Sequence, residues 1–230
     1  MTQTARQLVF DLPHRSALGS EDFIVSGSNE TAVRLVDAWP SWPHPVLAIA
    51  GPAGSGKTHL ANVWRQQSGA MMLAASSLDD ATAAGLADSK SIAIEDIDQG
   101  VGSQQALFHL MNLTREQGLN LFLTGRTPPG DWAITLPDLR SRLRACPVAM
   151  LGEPDEALLL AVLVKLLYDR QLPATPAAVS YLARHLDRSM AAAISVVGAL
   201  DRLLWDKPSE ITREVARRAL AEIGKDGGGD

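Results

Sequence analysis

Eight consecutive residues, Gly51-Pro52-Ala53-Gly54-Ser55-Gly56-Lys57-Thr58, bring together the residue types that can wrap and hold a run of phosphates. Glycines let the backbone curl until successive N–H groups point inward at phosphate oxygens. The lysine supplies a cation for β- and γ-phosphates, and the threonine hydroxyl can hold Mg²⁺. The pattern G-x-x-x-x-G-K-[ST] has this meaning where a strand precedes it and a helix follows. Residues 46–50 read as a buried strand and residues 58–67 as a helix. The segment therefore predicts binding of a nucleoside di- or triphosphate with Mg²⁺.

A second group of polar residues closes an apolar run, Ser91-Ile-Ala-Ile-Glu95-Asp96-Ile-Asp98. Parallel strands deliver their C-terminal ends to the ligand crevice, so carboxylates there can hold a metal and activate water. The first, metal-holding place falls on Glu95 and the second, water-activating place on Asp96. Glutamate is one methylene longer than the usual aspartate, which predicts slow turnover. The same residues also read as surface acids that merely end a strand. Thr124 ends another apolar run, residues 119–124, where a hydroxyl can sense a γ-phosphate or orient water. An ordinary strand-end threonine reads the same way. Leu136-Pro-Asp-Leu-Arg140-Ser-Arg142-Leu-Arg144 places three arginines on one short helix. Arg140 and Arg144 are four apart and share a face, whereas Arg142 points elsewhere. By itself this is a solvated basic face.

Short apolar stretches alternating with helical ones must position these residues. Strands are expected at 46–50, 70–75, 91–97, 119–124 and 147–151, with helices at 58–67, 79–87, 103–117 and 137–145. That alternation predicts an α/β domain with a parallel five-stranded sheet. After Gly152 the strands cease, and helices are expected at 156–170, 176–186, 189–205 and 211–223. Thr175-Pro176 is an N-cap followed by proline at the first helical position, and Ser209 can cap the last helix. The expected organisation is an N-terminal segment and linker over 1–20, an α/β domain over 21–152 and a helical domain over 153–224. A disordered tail over 225–230 completes it.

Composition excludes several classes. The chain has 230 residues, 46% of them apolar and 20% charged, which rules out disordered and low-complexity proteins. The longest apolar run, 157–164, stops at Lys165, far short of the ~20 residues a membrane span needs. The first residues carry no apolar stretch of signal-peptide length. One cysteine, Cys146, excludes an internal disulfide and suits a reducing, cytoplasmic setting. The five histidines lack metal-ligand spacing, so no zinc site is expected. His59 and Cys146 are expected to pack, the Trp39–Trp42 segment to form a structural turn, and the N-x-T matches at Asn29 and Asn112 to be chance. A net charge of −5 argues against the phosphate-counterion exchange on which non-specific DNA binding depends.

Taken in order, the motifs carry a resemblance. Phe23-Ile-Val-Ser-Gly-Ser-Asn29-Glu-Thr-Ala32, then Gly51–Thr58, Ile92–Asp98, Leu121–Arg126 and Leu136-Pro-Asp-Leu-Arg-Ser-Arg142-Leu resemble the boxes of the DnaA family of AAA+ ATPases. The match runs from about Phe10 to Ile223. It implies an AAA+ P-loop NTPase base followed by a small all-helical lid, with ATP or ADP and Mg²⁺ as cofactors. The loop Gly51, Pro52, Ala53, Gly54, Ser55, Gly56, Lys57, Thr58 would hold the phosphates, with Thr58 and Glu95 on the metal and Asp96 beside them. Phe23 and Val25 would border the adenine. Arg142 would reach toward a nucleotide bound by a partner, with Thr124 near the reacting phosphate. The family's lid arginine falls at Ala191, with Arg188 three residues earlier as a candidate to replace it, a replacement the resemblance leaves open. Glu95 and Ala191 together imply weak or partner-dependent ATP hydrolysis.

The family's initiator carries a C-terminal helix-turn-helix DNA-binding domain, and this sequence ends before one could fit. The resemblance is thus to the short members that switch the initiator off. Gln7-Leu8-Val-Phe10-Asp-Leu12 is similar to the segment by which those members hold the DNA polymerase sliding clamp. An extended peptide would put Leu8, Phe10 and Leu12 on one side, with the Gln7 amide free to hydrogen-bond. Taken alone, these six residues also read as an edge strand. The implied protein is a cytoplasmic regulator of replication initiation whose partners are the initiator DnaA and the clamp. It would meet DNA only through the clamp and no membrane at all, with self-association left open. The alternatives are a helicase-loader-like or transposition-type ATPase acting on DNA, a small-molecule kinase and an inert nucleotide-binding module.

Overall fold

The computed structural model describes residues 24–205 and 209–226. The expected clamp segment, with Gln7, Leu8, Phe10 and Leu12, lies outside the described residues, as does Phe23. Among the described residues the chain divides into two compact units, with the boundary in sequence between Glu153 and Pro154.

The first unit runs α1 (Glu30–Asp37), β1 (Val46–Ala50), α2 (Lys57–Ser68), β2 (Met71–Ala74), α3 (Asp80–Gly85), β3 (Ser91–Glu95), α4 (Gln104–Glu116), β4 (Asn120–Gly125), α5 (Pro137–Ala145) and β5 (Val148–Met150). All strand pairings are parallel and the order across the sheet is β2-β3-β4-β1-β5. The central strands read as continuous apolar runs because both faces are covered. Their period of two is still visible in where each side chain goes. Val46, Ala48, Ile92, Ile94, Leu121 and Leu123 join Leu107, Leu110 and Leu139 in one core. Leu47, Ile49, Ala93 and Phe122 join Val33, Leu60 and Trp64 in the other. Helices α3, α4 and α5 thus cover one face, and α1 and α2 the opposite one.

The sequence reading assigned no element before β1, yet α1 is present. Its Ala32, Val33 and Val36 are buried on one stripe, and eight residues are too few for that periodicity to stand out. Trp39 and Trp42 are not a bare turn: both rings pack on Trp64, Trp42 stacked at 5.3 Å between centroids.

The second unit is all helical: α6 (Glu156–Asp169), α7 (Pro176–His185), α8 (Met190–Leu204) and α9 (Arg213–Asp226). Leu159, Leu163, Leu182, Val196, Val197 and Leu200 form its core. The Asp155, Thr175 and Ser189 side chains cap α6, α7 and α8 by accepting from Leu158, Ala178 and Ala192 N–H groups. Ser209 does not cap α9. Ile211 is buried and bridges to Ala174 in extended form, so the helix starts later and Thr212 Oγ1 accepts from Val215 N–H at 3.5 Å. At the other end α9 continues to Asp226, two residues into the expected tail. Among the described residues no helix is long and apolar enough to cross a membrane.

Candidate functional site

Strand β1 lies inside the sheet between β4 and β5, and the loop that follows it is shaped by its glycines. Gly51 N–H bonds the Gly125 carbonyl at 3.2 Å across to β4. A Cβ on Gly51 would lie 2.5 Å from the Leu151 carbonyl oxygen, so only glycine lets the loop pass beside the chain leaving β5. Gly54 and Gly56 have φ of 72° and 100°, the left-handed region that side chains disfavour. Gly56 also occupies the N-cap of α2, with no side-chain cap bond. The free N–H groups of the first turn are therefore open to an anion.

Lys57 opens α2 and is 7% exposed. Its Nζ donates to the Gly51 and Pro52 carbonyls at 2.7 and 2.8 Å, so the cation rests on the loop backbone. Burial lowers its pKa first, and the Arg126 cation adds to this, while Asp96, Asp98 and Glu95 oppose it. Ser55 Oγ, in the same loop, is buried with no hydrogen-bond partner. Pro52 and Ala53 are exposed at the loop tip.

The acids at the end of β3 stand one strand away from β4 and two from β1. Burial raises the Glu95 pKa, although the Thr58 hydroxyl hydrogen-bonds its carboxylate and works the other way. Glu95 Oε1 is nevertheless buried without a partner, and so is Asp98 Oδ1. Asp96 turns the chain out of the strand in the left-handed region, at φ 57°. Its N–H donates to Thr124 Oγ1 at 3.0 Å, and Thr124 is 1% exposed. The Thr124 hydroxyl oxygen thus fixes the backbone that presents Asp96.

Thr58, Glu95 and the loop fit a magnesium-bound phosphate chain on three counts. The Glu95 carboxylate, bonded by the Thr58 hydroxyl, keeps one orphaned oxygen, the lysine is already desolvated, and Gly56 at the N-cap supplies no side chain to cover the first amides of α2. Among the described residues no group of three or more His, Cys, Asp or Glu could hold a metal. A cation at Thr58 and Glu95 would therefore draw its other ligands from phosphate and water. Two contributors escaped the sequence reading. Asp98 and Arg126 both act electrostatically on Lys57, and each is the polar residue just past a strand end, which was the available signal.

Val25 is half-buried against the core that contains Leu47, Leu60 and Leu151. Asn29 holds that segment in shape: its amide donates to the Ile24 carbonyl at 3.0 Å and accepts from Ser26 N–H at 2.9 Å. The Ser28 carbonyl in turn accepts from Gly152 N–H at 3.0 Å. Segment 24–29 thus lies along the chain that leaves β5, the same chain that Gly51 touches.

Arg142 is half-buried, unlike exposed Arg140 and Arg144. Its guanidinium lies 4.7 Å from the Phe108 ring centroid, and Nη1 donates to Asn112 Oδ1. Arg188 and Ala191 belong to the helical unit and are both exposed. Arg188 precedes Ser189, the N-cap of α8, and so stands outside the helix rather than a turn earlier on it. His59 is exposed on α2 rather than part of the core, because position 59 lies off the buried stripe of Leu60, Ala61, Val63 and Trp64. Cys146 does fill space: it is buried, its thiol donates to the Arg142 carbonyl at 3.3 Å, and burial pushes its pKa up to about 11.

No protein-family model and no curated protein matches the chain. Solved structures do match. Domain III of the replication initiation protein DnaA from Thermotoga maritima superposes with a TM-score of 0.73 at 20% identity, over 88% of this chain and 95% of that one. AMPPCP-bound DnaA from Aquifex aeolicus gives 0.66 at 16%, over 88% and 68%. The RuvB Holliday junction branch migration motor of Thermotoga maritima gives 0.66 at 17%, over 84% and 67%. These likenesses establish the fold: an α/β base with a parallel five-stranded sheet, followed by a small all-helical domain, as in those structures.

Proposed function

We propose that this protein is a regulator of replication initiation of the Hda type. It binds adenine nucleotide, holds the sliding clamp through Gln7, Leu8, Phe10 and Leu12, and stimulates ATP hydrolysis by the initiator DnaA. The observation that carries the reading is the arginine-bearing helix α5, with its Leu136–Leu143 box, on a base that superposes on DnaA domain III over 88% of this chain. The known nucleotide complex of a similar fold, DnaA with AMPPCP, supports adenine nucleotide as the ligand.

Within this chain, the loop amides and Lys57 bind the phosphates. Thr58 and Glu95 would hold Mg²⁺, which would offset phosphate charge. Asp96, its backbone fixed by Thr124, would accept the proton of the attacking water. Glu95 in the metal-holding place keeps that reaction slow, so the nucleotide serves mainly to set the shape of the base. Arg142 acts on a different nucleotide, the ATP of the initiator, where a guanidinium stabilises the charge of the transferring phosphoryl group.

The test follows hydrolysis of ATP pre-bound to the cognate initiator, with clamp-loaded DNA. The wild type should accelerate it, and Arg142→Ala should remove at least about 100-fold of that acceleration with the fold intact. Leu8→Ala/Phe10→Ala should lose it at limiting protein, because clamp tethering raises effective concentration. No acceleration by folded wild type overturns the reading. The likeness to RuvB favours a second one, an AAA+ ATPase that acts on DNA directly. That protein would shift single-stranded DNA at physiological salt, which a chain of net charge −5 is poorly built to do.

A further inference from the structure

Arg126 leaves β4 where the phosphate loop leaves β1. Ala50 and Gly125 are register partners across the two strands, and the Gly125 carbonyl accepts from Gly51 N–H at 3.2 Å. On the opposite side of β4, Thr124 Oγ1 takes the Asp96 N–H at 3.0 Å. The residue after Gly125 therefore follows a strand end tied to the loop on one side and to the acids of β3 on the other. This is the end of the strands at which a parallel sheet receives its ligand.

One indole fixes the backbone on either side of Arg126. Trp132 is 4% exposed, and its Nε1 donates to the Thr127 carbonyl at 2.8 Å. A Cβ on Gly125 would lie 2.7 Å from the same nitrogen, so only glycine lets the strand end rest on that ring. The Arg126 side chain itself is exposed, and among the described residues it makes no ion pair.

An exposed arginine is most often a solvated surface group. Arg126 differs in its neighbour, because its charge acts on Lys57, a cation that burial already disfavours. Two like charges close together raise the energy of the empty site, and an anion that reaches both removes that cost. Lys57 Nζ rests on the Gly51 and Pro52 carbonyls inside the loop. Arg126 lies outside the loop, beside the strand-end acids, where the far end of a phosphate chain would emerge. A guanidinium suits that place, since its fork can meet two oxygens of one phosphate.

We propose that Arg126 sets specificity at this chain's own nucleotide site: it contacts the terminal phosphate of a nucleoside triphosphate and so favours triphosphate over diphosphate. The inference rests on the reading of Gly51–Thr58 as the phosphate loop and deepens it.

The experiment measures the affinity of the whole chain for AMPPCP and for ADP by displacement of a fluorescent ADP analogue, in EDTA and with Mg²⁺. In EDTA the protein's cations alone face the phosphates. There Arg126→Gln should weaken AMPPCP about tenfold, the scale of a lost bond to a charged group, and leave ADP within about twofold. Arg126→Lys keeps the charge and loses the fork, so AMPPCP should recover to within about threefold of wild type. Added salt should weaken AMPPCP more steeply for the wild type than for Arg126→Gln, because an exposed cation is screened. Mg²⁺ should narrow the gap between the two by supplying a competing cation. Melting temperatures should stay within about 2 °C, as expected of an exposed position. Equal weakening of AMPPCP and ADP, or no weakening of AMPPCP, overturns the inference; if Lys57→Ala then still loses both ligands, the nucleotide site stands without it. If Lys57→Ala binds both as the wild type does, the site and the inference fall together.

Discussion

Lys57 and Arg142 are cations on the same domain, and the fold treats them in opposite ways. Lys57 is buried, bonded to two backbone carbonyls and set among Glu95, Asp96 and Asp98. Arg142 is half-buried on a phenyl ring and an amide, with no carboxylate paired to it among the described residues. The first arrangement is a closed local set, with opposite charges nearby and orphaned oxygens on Glu95, Asp98 and Ser55. Such a site is completed by a ligand that brings both anionic oxygens and a metal. The second leaves the guanidinium without a carboxylate partner among the described residues. On the proposed function, the difference is that between a site for the domain's own nucleotide and a cation presented to another protein's nucleotide. The two tasks need different neighbours, not different cations.

The largest expected effect tests the first half of that contrast. Lys57→Ala should weaken binding of a fluorescent ADP analogue by about 100-fold or more, since a desolvated cation on phosphate is lost. Arg142→Ala should leave that affinity unchanged, and equal losses in the two variants would erase the distinction between the sites. Gly51→Ala comes next. Its Cβ would meet the Leu151 carbonyl at 2.5 Å, so β5 must shift from β1 at a cost of about 1–3 kcal/mol, read by chemical denaturation. Denaturation should also show about 1 kcal/mol for Thr124→Val, which strands the Asp96 N–H, while Thr124→Ser retains wild-type stability.

The smallest effect is a pH dependence. Burial lifts Glu95 above its ordinary pKa of 4.5, so the folded protein holds that proton more tightly than the unfolded chain does. Ionising Glu95 therefore costs stability as pH rises through the raised value, and below 4.5 the cost is absent. Glu95→Gln should melt about 1–3 °C higher than wild type at pH 7 without nucleotide, with the gap closing in acid. A constant gap at every pH would mean that packing, not charge, sets the Glu95 environment.

Much of the fold was legible because its signals are local. The run 46–50 is continuous and apolar, and the structure makes it β1 without adjustment. Pro137 announces the start of α5, and Thr175-Pro176 announces α7. The errors share a cause in contacts distant along the chain. Ser209 has the chemistry of a cap, but Ile211 is drawn into a bridge with Ala174 and delays the helix. Helix α1 draws its stability from burial against the sheet, which its own eight residues do not advertise. His59 was read as packing because it follows a motif, whereas the phase of α2 turns it outward.

The candidate site divides along the same line. The order of glycines, lysine and threonine dictates a phosphate loop by itself, since backbone permissiveness at Gly54 and Gly56 is a property of the residue type. The acids were legible as strand-end residues for the same reason. That Thr124 fastens Asp96 depends on β4 lying beside β3, and that Gln104, Phe108 and Asn112 hold α5 depends on two helices meeting. Sequence determined which groups are charged and which turns the backbone can make, because those are local chemistry. The tertiary structure alone decided which charges are compensated and which are left free, because a charge's partners are chosen by packing between elements far apart in the chain.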